Sequence, residues 1–326
     1  MIPGTPLRTA VVGARSRRQG TGEYVARELA RAGCLVTAVV GTSEETLREA
    51  RERLAARYGI ECRGYLRLAD LLAAEEVDAV VVCSPPEHHL EALELALAAG
   101  CHAFCEKPLW WEDGLEETPA AAVEARAAAL VRGFAERGLV LAVNTQMPFT
   151  LEGFDRLYPG ARAEPPRSFA MRMSPITAGP RAVVDSAPHL LSMLYALAGE
   201  GSIEDAAAFR QDADGGRQTL GFVYRHDRGA VRTRLVLRRR LSAPRPLSYC
   251  VDGNFATRRI EMPDYRIRLA DRRRSVALRD PLSGSVDRFV EAVRSGRAGP
   301  SWELAAGMLH LHQLVAARSD HGRQAG

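Results

Sequence analysis

Thr9-Ala10-Val11-Val12-Gly13, running on through Ala14-Arg15-Ser16-Arg17-Arg18-Gln19-Gly20-Thr21-Gly22, decides the first half of this chain. Residues 9–13 make a short apolar strand that ends in glycine, and helical spacing begins soon after Gly22. Strand, glycine turn and helix start, in that order, build the corner on which a pyrophosphate rests at a helix N-terminus. In the usual G-x-G-x-x-G spacing the second and third glycine positions here hold Arg15 and Arg18. Gly20 and Gly22 supply the close-approach backbone later, so the loop is longer than usual. The corner predicts a dinucleotide site drawn from Gly13, Arg15, Ser16, Arg17, Arg18, Gly20 and Gly22.

Strand and helix keep alternating outward from that corner. A helix over 24–32 stops at Gly33, and a strand over 35–40 precedes a helix over 44–58. Residues 78–83 are almost purely β-branched, which marks a strand buried on both faces. A helix over 89–99 ends at Gly100, with a strand over 102–105, a helix over 120–137 and a strand over 139–143 beyond it. This alternation predicts a Rossmann-type, doubly wound parallel sheet with right-handed crossovers. After about residue 150 the pattern changes. Strands are expected at 168–173, 219–224, 230–237, 247–251 and 275–278, with helices at 190–197, 285–295 and 303–317. In 230–237, Val231, Thr233, Leu235 and Leu237 share one face, with Arg232, Arg234 and Val236 on the other. The fold class expected is therefore α/β, with a dinucleotide-binding domain over 1–147. An α+β domain with a largely antiparallel open sheet follows over 148–326, its final helix free to return to the first domain.

The chain has 326 residues, 46% hydrophobic and 26% charged, which suits two ordinary globular domains. No apolar run of membrane-spanning length occurs and the N-terminus has no signal-like core, so a cytoplasmic protein without a membrane partner is expected. The cysteines show no C-x-x-C pair and several lie in apolar runs, so they read as small buried hydrophobes and no metal is expected. Arginines cluster in the second half, but aromatics are 6% and the net charge is only +4. A solvated sheet face fits that pattern better than a nucleic-acid surface. The same sheet is the expected homo-oligomer contact.

Lys107 is the only lysine; every other basic residue counted in the Lys+Arg total of 44 is arginine. Lysine is a compact point charge that can exchange a proton, whereas the guanidinium is planar and keeps its proton. Lys107 lies in Cys105-Glu106-Lys107-Pro108, directly after a predicted strand, so it is the first candidate for chemistry. Cofactor choice is read at the end of the second strand, where Gly41-Thr42-Ser43 offers hydroxyls and no carboxylate. Thr42 and Ser43, with Arg15, Arg17 or Arg18, suit a ribose 2′-phosphate, which favours NADP over NAD.

The run Ser84-Pro85-Pro86-Glu87-His88-His89, then Ala99-Gly100-Cys101-His102-Ala103-Phe104-Cys105-Glu106-Lys107-Pro108, resembles the Gfo/Idh/MocA family of oxidoreductases. Asp185-Ser186-Ala187-Pro188-His189 is similar to that family's D-x-G-x-H, and Phe289 to Gly296 to its C-terminal helix. The resemblance implies that Ser84, Pro85, His89, Glu106 and Lys107 adjoin the cofactor, with a cis peptide before Pro108. It implies that Lys107 hydrogen-bonds the reacting oxygen and that His189 is general acid/base, oriented by Asp185. It also implies a small-molecule substrate, contacted by Asn144, Gln146, Asp185 and His189.

The departures bear on function. Ala187 replaces the family's glycine, and Pro188 stands just before the histidine. Because proline favours the first helical position, the helix is expected to begin at Pro188, leaving Asp185 outside it. Asn144 matches the family, but Gln146 stands where an arginine is usual. The expected function is hydride transfer between a nicotinamide cofactor and a small polyol, sugar or related carbinol, ketone or imine. The arginine bias associates it with specialised metabolite biosynthesis. The alternatives are redox-neutral elimination or hydrolysis on tightly held cofactor, and a cofactor-binding regulator without catalysis.

Overall fold

Ala79-Val80-Val81-Val82 are fully shielded from solvent, the condition of a strand covered on both faces. The computed structural model describes residues 5–14, 20–204, 209–212, 216–243, 245–297 and 302–324. In chain order the first elements are β1 (Arg8–Val12), α1 (Gly22–Arg31), β2 (Leu35–Val40), α2 (Glu44–Tyr58), β3 (Arg63–Tyr65), α3 (Leu68–Ala74), β4 (Ala79–Val82), α4 (His89–Ala98), β5 (His102–Cys105), α5 (Ala120–Glu136) and β6 (Leu141–Val143). They are followed by α6 (Leu151–Leu157), β7 (Ser168–Met173), α7 (Gly179–Ala198), β8 (Gly201–Glu204), β9 (Arg210–Gln211), β10 (Arg217–His226), β11 (Gly229–Arg238) and β12 (Leu247–Val251). The chain closes with β13 (Asn254–Glu261), β14 (Arg266–Ala270), β15 (Ser275–Leu278), α8 (Pro281–Ser295) and α9 (Trp302–Gln324). Two units result: Met1–Asp113 with Arg126–Asn144 and Leu282–Leu304, and Gly114–Ala125 with Thr145–Pro281 and Ala305–Gly326.

In the first unit the sheet order is β3-β2-β1-β4-β5-β6, with every pair parallel. The order reverses between β1 and β4, and ligands of such sheets bind outside the carboxyl ends at that switch. Val25, Leu29, Leu47 and Leu54 close the core from α1 and α2. The late helix α8 joins the same core through Leu282, Val286, Phe289, Val290 and Val293, with Phe289 and Phe104 ring centroids 5.2 Å apart. Ser283 of α8 donates to the buried Glu28 of α1 at 2.7 Å.

In the second unit β15-β14-β13-β12-β7-β11-β10-β8 form one sheet, and β9 pairs with β10. All pairs are antiparallel except β7 with β11. The expected alternation in β11 appears: Val231, Thr233, Leu235 and Leu237 are buried, while Arg232 and Arg234 are exposed. The start of α7 is a correction to the sequence reading, because the helix begins at Gly179 and Pro188 lies inside it. Pro180 occupies the first turn, where a missing N–H costs nothing. Downstream, Leu190, Leu191, Met193 and Leu194 are buried. Their burial outweighs the roughly 3 kcal/mol that an interior proline costs.

The core of this unit contains a pH-sensitive group. His310 on α9 is 2% exposed, and its Nδ1 is 2.8 Å from the Tyr195 hydroxyl. Burial pulls the His310 pKa down to about 4. The unfolded ring takes up its proton near the ordinary histidine value while the folded one resists, so the stability it confers is present above about pH 6.5 and lost as pH falls toward 4. Over that window the wild type loses up to about 3 kcal/mol that His310→Phe does not. Urea denaturation of both at several pH values checks this, and parallel pH dependences would refute it.

Candidate active site

The carboxyl ends of β1 and β4 meet through backbone. Gly13 has φ +83°, and a Cβ there would come within 2.9 Å of the Cys83 carbonyl and the Ser84 nitrogen. A Cβ on Gly22 would fall 2.3 Å from the Gly13 oxygen. The first turn of α1 therefore sits on the end of β1 with no room for a side chain, which is the role of glycines in a nucleotide corner. The N-cap residue Thr21 makes no side-chain cap to α1, which suits its first amides to a phosphate. Gly20 is half-buried. Arg15, Ser16, Arg17 and Arg18 lie outside the described residues. At the end of β2, Thr42 is exposed, while Ser43 caps α2 in a reciprocal pair with Thr46.

Beyond β5 the Glu106-Lys107-Pro108 turn is held from several directions. The Glu106 amide donates to the Val82 carbonyl at 2.8 Å. Its Oε1 accepts from Thr21 Oγ1 at 2.7 Å and from Asn144 Nδ2 at 2.6 Å. The Asn144 amide in turn donates to the Cys105 carbonyl at 2.7 Å. One carboxylate thus ties the start of α1 to the ends of β5 and β6. Lys107 is half-buried, and the Lys107–Pro108 peptide is cis. His89 is fully buried and places its ring nitrogens at 2.9 Å from the Pro108 carbonyl and 2.7 Å from the Ser84 carbonyl. Pro85 is exposed beside this corner. Trp110 and Trp111 are buried.

Three polar atoms in this cluster, Ser84 Oγ, Trp110 Nε1 and Asn144 Oδ1, are buried with no hydrogen-bond partner among the described residues. Buried polar atoms of native proteins are nearly always paired, so these atoms would suit a ligand rich in donors and acceptors. The glycine contacts, the uncapped helix and these orphaned atoms fit a dinucleotide. Among the described residues no group of three or more His, Cys, Asp or Glu side chains is arranged to hold a metal. None of their helices is long and apolar enough to cross a membrane.

In the second unit, Asp185 and His189 are both on α7, four residues apart, so the expectation that Pro188 leaves Asp185 outside the helix is overturned. Arg181, Asp185 and His189 fall on one helical face and are half-buried, with buried residues between them. Asp185 Oδ2 accepts from Thr177 Oγ1 at 2.6 Å, and Oδ1 lies 3.5 Å from Arg181 Nε. Gln146 is half-buried at the start of this unit's second segment. The residues missed from sequence are Thr21, Thr177 and Arg181. The signal for Arg181 was Gly179-Pro180, a helix start two turns ahead of Pro188. Thr21, between two loop glycines, gives no signal of its bond to Glu106.

Residues 7–144 match the model of the oxidoreductase family with an NAD-binding Rossmann fold, Gfo/Idh/MocA. The chain is 40% identical over 60 residues to inositol 2-dehydrogenase of Rhizobium meliloti, covering 18% of this chain and 17% of that protein. It is 36% identical over 109 residues to D-glucoside 3-dehydrogenase of Escherichia coli, covering 33% of this chain and 28% of that one. The chain thus spans less than a third of the length of either curated relative. Among solved structures it is similar to UDP-N-acetylglucosamine 3-dehydrogenase of Acidithiobacillus ferrooxidans, with a TM-score of 0.69 and 21% identity over 96% of this chain and 98% of that one. At that identity the likeness is one of fold.

Proposed function

We propose, from the match of residues 7–144 to the Gfo/Idh/MocA oxidoreductase family, that this chain is an NAD(P)-dependent dehydrogenase or reductase. Its substrate is a small polyol, a sugar or a related carbinol, ketone or imine. The observation that carries this reading is the placement of the chain's one lysine. Lys107 follows β5 at the carboxyl edge of a sheet whose order reverses between β1 and β4, and the neighbouring Glu106 is tied to the start of α1.

When bound, the nicotinamide supplies or accepts the hydride. The chain's own residues do the rest. The Lys107 ammonium donates to the reacting oxygen and stabilises charge on it, and His189 exchanges the proton with that oxygen. Asp185, held by Thr177 and Arg181, orients the imidazole one turn along the same helix. Gln146 and Asn144 supply polar groups toward substrate or nicotinamide. The test is a panel of polyols, sugars and nucleotide sugars followed by nicotinamide absorbance. Turnover of none of them, in either direction, refutes the reading.

NADPH is expected to bind at least about tenfold more tightly than NADH, a difference of about 1.4 kcal/mol. The support is the absence of a carboxylate in Gly41-Thr42-Ser43 and the arginines of the glycine loop. Calorimetry with both cofactors decides it. Equal or tighter NADH binding would shift the assignment to Glu44 and Glu45 in the first turn of α2.

A homo-oligomer through the second unit's sheet completes the reading. On its outer face Val223, Val236, Ala170 and Cys250 are half-buried between exposed arginines, and Phe255 is 43% exposed. Light scattering over a wide concentration range should report a mass above 35.5 kDa. Val236→Glu should lower it, and a strict monomer rules the contact out.

A further inference from the structure

The two neighbours of Lys107 are fixed by different means. Glu106 is held through its amide and its carboxylate by Val82, Thr21 and Asn144. Pro108 has no N–H, so its carbonyl is its one backbone hydrogen-bonding group, and that oxygen meets His89 Nδ1 at 2.9 Å. His89 Nε2 lies 2.7 Å from the Ser84 carbonyl just past β4. We propose that His89 is a positioning residue for Lys107, donating from Nδ1 to the carbonyl of the residue directly after Lys107 and so fixing the turn that presents the ammonium. The role given to Lys107 rests on the functional reading above; the link between His89 and Lys107 does not.

The chemistry of the ring supports a specific job over general packing. A fully buried imidazole that only filled space would be replaceable by an apolar ring, yet both nitrogens here face carbonyl oxygens, which only accept. A neutral ring has one N–H to give, and in the proposed arrangement it is on Nδ1, donating to the Pro108 carbonyl. Cys105 Sγ, 3.3 Å from Nδ1, has its own carbonyl neighbour in Glu106 at 3.2 Å. Burial lowers the His89 pKa, and the two carbonyls, Glu106 and Glu87 work against that. A misplacement of about 1 Å in a catalytic group costs on the order of 10²-fold in rate, so a bond one residue from Lys107 acts on function directly.

Because Lys107 is the only lysine, reductive methylation with 13C-formaldehyde gives one side-chain NMR signal besides the α-amine. His89→Asn keeps an amide nitrogen near the Nδ1 position and hence the Pro108 contact. His89→Gln keeps one near Nε2 and hence the Ser84 contact, and His89→Phe keeps neither. The expected result is a Lys107 signal close to wild type in His89→Asn and displaced in His89→Gln and His89→Phe, even where all three melt at lower temperature. In the unmutated protein, long-range 1H–15N correlation of the His89 ring should show Nδ1 protonated. That measurement stands if a variant fails to fold. A ring protonated on Nε2 alone, or a Lys107 signal indifferent to which contact is lost, overturns the proposal. Titration with NADH and NADPH runs alongside: wild-type protein that binds neither sinks the functional reading and leaves the His89–Lys107 result standing.

Discussion

Lys107→Arg is expected to bind cofactor nearly as the wild type does and to lose turnover by roughly 10²-fold or more, the scale of a positioned acid/base group. The substitution keeps the positive charge, so a loss cannot come from a missing cation. It changes two other things: the guanidinium is planar and bulkier than the ammonium, and it cannot release a proton. Glu106 and Pro108 pin the backbone on both sides of the residue, so the longer side chain has no slack in the turn with which to withdraw. Cofactor affinity by calorimetry and turnover by nicotinamide absorbance separate the two effects. If Lys107→Arg keeps most of its activity, the chain's one lysine is incidental and the chemistry lies elsewhere.

How far the sequence led depended on how local each signal was. β4 was legible because a short run of β-branched and small apolar residues, all without exposure, is what a strand covered on both faces requires. β11 was legible because valine, threonine and leucine alternate with arginine across a half-solvated sheet. β3 was not. Arg63-Gly64-Tyr65 has no alternation, and its strand state comes from pairing beside β2, a contact that propensity does not register. β13 was lost for a similar reason, since Arg258-Arg259 break the pattern in a strand held by neighbours on both sides. At the site, the Glu-Lys-Pro turn could be read from residues, but its tie to Thr21 spans 85 positions and exists only once the sheet is assembled. Pro188 misled because the rule that proline starts helices was applied without the competing Pro180. The burial of α7 on both sides of Pro188 decided between them.

That corrected helix sets the second large effect. His189→Ala should lower turnover by roughly 10²-fold or more while sparing cofactor affinity, as removal of a general acid/base does. Combined with Lys107→Arg it should lose little beyond the worse single variant, since two groups that serve one oxygen act as a unit. Losses that simply multiply would mean the two side chains serve separate steps. Asp185→Asn is the informative contrast. The amide still accepts from Thr177 Oγ1, 2.6 Å away, but it surrenders the charge that pairs with Arg181 at 3.5 Å and that, in the proposed role, orients His189 one helical turn on. The expected cost is about tenfold, smaller than for His189→Ala, and it should appear in kcat more than in KM. An Asp185→Asn enzyme with unchanged kcat would show that Asp185 only anchors the start of α7. His189 would then work without an orienting carboxylate.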